Sequence, residues 1–283
     1  MIQRLITLAP MTALLIFGAT GNAFAGGRSE PWQMGFQPAG SPVMERIIEF
    51  HNLLLVVEVS IVALVLGLMC YIIVRFNAKA NPVPSKTTHN TLLEVVWTGV
   101  PLLILIVVAV PSLKLLYYSD RVENTEMTLK VTGNQWFWSY TYPDHGGFEF
   151  DSVIVPDDEL KAGQPRLLTV DNEVVLPAET NIRLLFTSAD VIHNWGVPSL
   201  GLKLDTVAGR ISETWVRINK KGNYYGMCSE LCGVNHGFMP IHIKAVSKAD
   251  FAQWVETANK EFARTGGPAP VRVAEIRARE RGD

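Results

Sequence analysis

The stretch CSELCGVNHGFM, residues 228–239, decides how the rest of the chain is interpreted. It places two thiols (Cys228 and Cys232), an imidazole (His236) and a thioether (Met239) on one loop, and His193 stands upstream in the segment DVIHNW. Thiolates, imidazoles and a thioether form a soft donor set, and the thioether favours copper over zinc. The sequence therefore predicts a copper site made by one loop and one separate strand.

The second cysteine distinguishes this pattern from a mononuclear blue-copper site, which needs one Cys, two His and a weak axial Met. Sulfurs four residues apart on one loop can both face one site and bridge two copper ions. Each ion would take one imidazole, and Met239 and a loop carbonyl would fill the remaining positions. Because two bridged ions share one electron, we expect a centre with a low reorganisation cost for electron transfer.

Other kinds of site fit parts of the pattern. Cys228 and Cys232 could form a disulfide in an oxidising compartment. A tetrahedral zinc ion could take two cysteines and two histidines, which would leave Met239 without a role. A protein that delivers copper to others is a further alternative, but it needs an exposed, exchangeable site rather than two bridging thiolates beside aromatic residues.

The copper loop lies in a region whose pattern, from about Glu126, is typical of short strands separated by turns. Ser247 and Asp250 predict the N-terminus of a closing helix that runs to about Phe262. Many short strands over one such region favour an antiparallel sandwich or barrel. The predicted strands are 127–132, 136–142, 166–170, 182–187, 213–218 and 239–246.

Two long apolar runs precede the strands, at about 47–74 and 95–116. At about 1.5 Å per helical residue, each can cross a hydrocarbon core of about 30 Å. The loop between them carries Arg75, Lys79 and Lys86 and no acid before Glu94, so the positive-inside rule places it in the cytoplasm. Both termini and the copper domain would then lie on the periplasmic side of a bacterial cytoplasmic membrane.

The ends of the chain give the predicted domain boundaries. Residues 1–25 have the charged, apolar and small-residue regions of a cleaved signal peptide. Residues 26–120 form an N-terminal segment and the transmembrane hairpin, 121–262 the copper domain, and 263–283 a flexible basic tail. The formal net charge of −2 gives no indication of a nucleic acid partner. Residues 141–190 carry ten acids against three bases, which fits either a surface that attracts a basic protein partner or simply a solvated acidic face.

The segments CSELCGVNHGFMP, DVIHNWGVPSLGLKLD and GNQWFWSY resemble cytochrome c oxidase subunit II, and the likeness covers nearly all of the mature chain. The resemblance implies a cupredoxin-like Greek-key barrel that carries a copper A centre of two copper ions. It also implies an Mg or Mn ion bound by the Glu230 carboxylate at the contact with subunit I. The implied copper ligands are His193, Cys228, Cys232, His236, Met239 and the backbone carbonyl of Glu230.

The resemblance assigns Trp136 to the surface where an electron from cytochrome c arrives, although aromatic residues in a strand more often serve packing. Phe137 replaces the usual Tyr of the family and Asn134 the usual His, and neither is a ligand. Asp144, Asp171 and Asp190 match acids that face the basic rim of cytochrome c. Relatives can carry Glu where this chain has Thr141, so its docking surface differs in charge.

Glu94 opens the second apolar run. On chemistry alone it is an acid favoured by the dipole of the first helical turn. The resemblance instead assigns it to the mouth of a proton-uptake path that belongs to subunit I. The implied activity is that of a proton-pumping oxidase in which this chain passes electrons to haem a of subunit I, where oxygen is reduced to water.

Two related classes of protein are alternative assignments for this sequence. Subunit II of a quinol oxidase has the same hairpin and barrel but lacks the copper ligands, whereas the copper domain of nitrous oxide reductase lacks the two-helix anchor. No Cys-x-x-Cys-His occurs in the chain, so no c-type haem is attached and the electron donor is a separate protein. We expect lipid, oxidase subunit I and other oxidase subunits as partners.

Overall fold

The computed structural model describes residues 26–121 and 124–262; the predicted signal peptide and C-terminal tail lie outside them. Two helices, α1 (Pro42–Arg75) and α2 (Thr91–Asp120), pack against each other as a hairpin, and each is long and apolar enough to span a membrane. Both exceed the predicted spans. At about 1.5 Å per residue they extend past a hydrocarbon core of about 30 Å, and their polar ends lie in or beyond the headgroup layer.

The strands form two sheets that face each other across one hydrophobic core. One sheet has the order β5-β11-β10-β7-β8, with β1 beside β10, and the other has the order β4-β3-β2-β6-β9. The strands are β1 (Gly26–Gly27), β2 (Met127–Asn134), β3 (Phe137–Thr141), β4 (Glu149–Ser152), β5 (Val174–Pro177), β6 (Asn181–Ser188), β7 (His193–Val197), β8 (Leu202–Thr206), β9 (Ser212–Arg217), β10 (Gly222–Cys228) and β11 (Pro240–Val246). The predicted sandwich is confirmed, but the sheets are mixed, because β2 pairs with β6 and β5 with β11 in parallel.

One predicted strand, 166–170, is wrong. These residues form turns in which the Thr169 hydroxyl donates to the Pro165 carbonyl and Leu167 takes a left-handed conformation. The alternation also failed to indicate β5 and β7, since every residue of both strands is buried and neither strand has an exposed face.

The predicted closing helix is confirmed as α3 (Lys248–Glu261). The Ser247 side chain accepts a hydrogen bond from the backbone N–H of Asp250. On the inner side of α3, Phe251 and Trp254 pack on Tyr142. The helix thereby contributes apolar side chains to the core beside β3 and β4.

The sandwich is fastened directly to the ends of the membrane helices. The Ser41 hydroxyl donates to the Leu200 carbonyl at 2.6 Å while its oxygen caps α1. The Trp215 indole N–H donates to the Tyr118 carbonyl at 3.3 Å, and the Arg46 guanidinium stacks on the Tyr118 ring at 3.3 Å. These contacts fix the height and tilt of the β domain over the membrane.

Candidate metal centre

Strand pairing brings the distant imidazole to the cysteine loop. Cys228, the last residue of β10, pairs with Trp195 of β7, so His193 at the start of β7 lies beside the loop that follows β10. That loop makes a short 3₁₀ turn at His236–Phe238 and enters β11 at Pro240. The sheet itself therefore holds both ends of the donor set.

The six predicted donors lie in one continuous cluster. The Sγ atoms of Cys228 and Cys232 are 3.8 Å apart. On one side, Cys228 Sγ lies 4.0 Å from His193 Nδ1 and 3.3 Å from the Glu230 carbonyl. On the other side, Cys232 Sγ lies 3.5 Å from both His236 Nδ1 and Met239 Sδ.

The chemistry of this cluster fits copper. Both cysteines are free thiols rather than a disulfide, and they are buried together with His193 and Met239. A buried thioether beside a thiol is a soft donor, which suits copper better than a zinc site of two cysteines and two histidines. Two sulfurs between two imidazoles provide the bridging arrangement that a pair of ions requires.

The two thiols differ in their acidity. Burial alone would raise the pKa of Cys228, but hydrogen bonds with His193 and with the Asn194 and Glu230 backbone outweigh it and lower the pKa. Burial and the neighbouring Cys228 raise the pKa of Cys232. A bound metal cation would favour both thiolates, so metal binding would be accompanied by loss of the Cys232 proton.

Asp190 has a role that sequence reasoning missed. Its Oδ1 lies 2.8 Å from His193 Nε2, and its Oδ2 accepts the backbone N–H of Gln135 at 2.7 Å. Burial alone would raise the pKa of this carboxyl, but these hydrogen bonds lower it. By holding the proton on Nε2, the carboxylate leaves the Nδ1 lone pair of His193 directed at the cluster. The Asp-x-x-His spacing was the available signal.

Replacing Asp190 with asparagine will weaken copper binding about tenfold to a hundredfold, the usual loss when the carboxylate partner of a ligating histidine is removed. Competition with a copper chelator measures the change. Asp158→Asn, which removes an exposed carboxylate in the 157–159 turn, serves as the matched control. Equal copper affinity in the two variants would contradict the positioning role.

Trp136 lies in the turn between β2 and β3, not in the predicted strand. Its indole N–H donates to the Cys232 carbonyl at 3.2 Å, and the Gln135 side-chain amide donates to the same oxygen at 2.7 Å. A Cβ on Gly233 would come within 2.9 Å of the Trp136 ring, and Gly233 has a φ of +123°. Only glycine lets the ring lie so close to the copper loop.

The buried side of the cluster is closed by groups that the sequence did not reveal. The Trp138 indole N–H donates to the Met239 carbonyl at 3.2 Å, and its ring packs edge-on against His193. A Cβ on Gly133 would come within 2.8 Å of the His193 ring. These contacts join residues that are far apart in sequence, so no local pattern predicts them.

The three predicted docking acids are exposed but lie at different places. Asp190 adjoins the Trp136 turn, and Asp171 accepts the backbone N–H of Val153, just after β4. Asp144 accepts the N–H of Thr128, at the opposite end of β2 from the turn, about 20 Å away along the strand. The acids therefore do not form one compact group.

The carboxylates of Glu94 and Glu230 are not among the donors of the cluster. Glu94 accepts the backbone N–H of Asn90 at 3.3 Å, while the Asn90 side chain caps α2 through the N–H of Leu93. Glu230 directs its carbonyl at Cys228, and the residue as a whole is exposed. Glu94 thus takes part in the capping of its helix, and Glu230 is exposed beside the cluster that its carbonyl faces.

Known proteins match this chain along both of its parts. The family model described as the periplasmic domain of cytochrome c oxidase subunit II matches residues 127–246, and the one for its transmembrane domain matches residues 29–115. A probable cytochrome c oxidase subunit 2 from Rickettsia bellii is 53% identical over 233 residues, which cover 82% of this chain and 87% of that protein.

Further relatives are a cytochrome c oxidase subunit 2 from Phytophthora megasperma and a solved structure. The Phytophthora protein is 48% identical over 233 residues, which cover 81% of this chain and 88% of the relative. The crystal structure of the periplasmic domain of subunit II from Bradyrhizobium japonicum is 52% identical, with a TM-score of 0.48, and covers 50% of this chain and all of that one. The chain therefore belongs to the cytochrome c oxidase subunit II family, the membrane-anchored subunits of an oxidoreductase complex.

Proposed function

We propose that the chain takes electrons from cytochrome c at the Trp136 turn and passes them, through a copper A centre in its β domain, to haem a of subunit I. There, oxygen is reduced to water and protons are pumped, so this subunit does none of the oxygen chemistry. The observation that best supports this entry point is the hydrogen bond from the Trp136 indole N–H to the Cys232 carbonyl. It joins the half-buried ring directly to a residue of the donor cluster.

We assign the ligands of the two copper ions from the chemistry of the donor set. His193, Cys228, Cys232, His236 and Met239 would bind them with the Glu230 carbonyl, and the bound pair supplies a one-electron carrier of low reorganisation cost. The protein keeps the donors in place before a metal arrives: Asp190 fixes the His193 ring, while buried aromatic rings exclude water. A site held in this way changes little when one electron is gained or lost.

The experiment separates electron delivery from oxygen reduction in the assembled oxidase. We expect that removing copper from this subunit stops the oxidation of reduced cytochrome c. A small chemical reductant that reaches the haems directly should still support oxygen consumption by the same preparation. If the copper-depleted oxidase still oxidised cytochrome c at the normal rate, electrons would not enter through this chain.

A second metal is proposed at Glu230. Its carbonyl faces the sulfur cluster while the residue is exposed, so its carboxylate can bind a hard cation such as Mg or Mn where subunit I covers the loop. We likewise assign Asp144, Asp171 and Asp190 to the attraction of a basic cytochrome c. All three are exposed, and attraction at this range speeds association more than it tightens binding.

The orientation follows from charge. We assign the connecting loop to the cytoplasm on the basis of Arg75, Lys79 and Lys86, with the β domain and both termini in the periplasm of a bacterial cell. Residues 1–25 are assigned as the cleaved signal peptide that such a topology uses, and 263–283 as a basic tail. The boundaries 26–120 and 121–262 separate the anchor from the copper domain.

We also assign Glu94 to proton uptake on the cytoplasmic side. In Glu94→Gln, the amide oxygen still accepts the Asn90 N–H, but the side chain cannot carry a proton. Proton uptake that accompanies haem reduction should slow about tenfold or more, equal to ~1.4 kcal/mol of barrier. Flow-flash absorbance with a pH dye measures it, and Glu58→Gln within α1 is the control. Uptake at the normal rate in Glu94→Gln would refute the assignment.

A further inference from the structure

The segment between β1 and α1 forms a closed loop, which we call the N-terminal loop (residues 28–37). Its base is joined by a hydrogen bond from the Gln37 side-chain amide to the Ser29 hydroxyl, at 3.1 Å. After the loop, the Gly40 N–H donates to the Ser199 carbonyl of the β domain at 2.7 Å. Within the loop, a turn is braced by the Gln33 N–H, which donates to the Glu30 carbonyl at 3.2 Å. The loop therefore has a defined attachment to the domain.

Two large apolar side chains project from this loop. Trp32 is 98% exposed and Met34 is 96% exposed, whereas side chains on the membrane helices, such as Leu105 at 66%, are partly covered by their own helix. Nothing in the described part of the chain covers either residue. Two large apolar side chains exposed in this way, two residues apart on one loop, favour a surface that meets another apolar phase or a partner.

The level of the membrane can be read from α1. From Leu53 to Val74 the only charged side chain is Glu58, and roughly 22 helical residues give about 33 Å, close to the ~30 Å of a hydrocarbon core. The polar residues His51 and Asn52 come immediately before this run. His51 therefore lies in the headgroup layer on the side of the β domain.

The N-terminal loop reaches that layer. The Phe36 ring packs edge-on against the His51 ring, with 4.8 Å between centroids. The guanidinium of Arg46 in α1 stacks on the ring of Tyr118 in α2, which aligns these two positions along the hairpin. Because the helices are antiparallel, His51, five residues further along α1, lies at about the level of Lys114, whose ammonium can extend to the interface. Phe36, His51 and Lys114 therefore lie at about the same height, in the headgroup layer on the side of the β domain.

We propose that the N-terminal loop is a membrane-interface anchor, with Trp32 and Met34 inserted at the boundary between phospholipid headgroups and acyl chains. An indole suits this boundary because its ring is apolar and its N–H is polar. The Trp32 Cα lies within about 13 Å of the Phe36 Cα, since four residues span no more than that distance. Together with the contacts of Arg46 and Ser41, this anchor holds the β domain at a fixed tilt over the bilayer.

The test places a fluorescent reporter on the loop of the assembled oxidase in lipid nanodiscs. In a Cys70→Ser background, Trp32→Cys and, separately, Met34→Cys carry an environment-sensitive dye. Ala162→Cys, in an exposed turn of the β domain, is the matched control. Quenchers are lipids with a spin label near the headgroup, lipids with a spin label near the chain end, and aqueous iodide.

We expect the headgroup spin label to quench the dye at positions 32 and 34 strongly and the chain-end spin label to quench it more weakly. Aqueous iodide should not quench the dye at either position. Position 162 should respond to iodide alone. If iodide quenched the dye at 32 and 34 and spin-labelled lipids did not, the loop would lie in water. If no quencher acted there, another oxidase subunit would cover the loop. Either result would overturn the proposal that the loop is a membrane anchor. The dye is placed at two positions so that a local disturbance caused by one label can be recognised.

Discussion

In Cys232→Ser we expect the copper pair to be lost, and oxidation of cytochrome c to fall more than a thousandfold, a rise of ~4 kcal/mol in the barrier. Cys232 is central to the cluster, with Cys228, His236 and Met239 within 3.8 Å of its sulfur. Serine has a similar shape, but its hydroxyl is a hard, weakly acidic donor that cannot bridge two soft ions.

Metal analysis and turnover with reduced cytochrome c measure the effect in purified oxidase. Cys70→Ser is the matched control, since Cys70 is an exposed residue of α1 outside the cluster. The Cys70→Ser oxidase should keep its copper and its normal rate of cytochrome c oxidation. A Cys232→Ser oxidase that retained two coppers in this subunit and normal turnover would refute the bridging role.

In Trp136→Phe we expect electron transfer from cytochrome c to slow about tenfold or more, equal to ~1.4 kcal/mol, while copper content stays normal. Phenylalanine keeps an aromatic ring in the β2–β3 turn but loses the N–H that donates to the Cys232 carbonyl. The direct hydrogen bond between the Trp136 ring and the donor cluster is thereby broken. Gln135 still donates to the same carbonyl, so the loop should keep its shape.

Flash-induced electron injection from bound cytochrome c measures this step separately from turnover. Trp138→Phe is the matched control, because its indole also donates to a loop carbonyl, that of Met239, but the ring is fully buried. It should alter the copper spectrum or the stability more than the rate of injection. Equal slowing in both variants would mean that Trp136 acts only by packing.

The donors could be predicted because their chemistry is local. Four of the five side chains proposed as ligands lie within 228–239, and their types and spacing indicate a soft metal without any knowledge of the fold. The helices were equally clear from their apolar runs, and Ser247 marked the start of α3. In each case the signal comes from residues that are close in sequence.

The support of the site could not be predicted, since it depends on pairing between distant segments. Asp190 reaches the backbone of Gln135, and Gln135 in turn reaches Cys232, contacts that only the folded sheets create. Trp136 looked like a strand residue because it begins an aromatic run, yet the β2–β3 turn holds it. The fully buried β5 and β7 lack the alternation that reveals a half-exposed strand.

The contacts that join the β domain to the membrane helices matter for electron transfer, because they fix the position of the donor cluster. Hydrogen bonds from Ser41 and Trp215 and the stacking of Arg46 on Tyr118 tie the sandwich to both helices. Electron transfer to a haem in a neighbouring subunit depends steeply on distance. A rigid link at the base of the domain therefore keeps the donor cluster at one height above the bilayer.

We propose that Cys228 and Cys232 bridge two coppers that share one electron. The most direct measurement is the electron paramagnetic resonance spectrum of the oxidised, copper-loaded full chain in detergent, with copper counted per chain. We expect two coppers per chain and a hyperfine pattern from one electron spread equally over both nuclei. One copper with the pattern of a single nucleus, or a Cys228–Cys232 disulfide without bound copper, would contradict it.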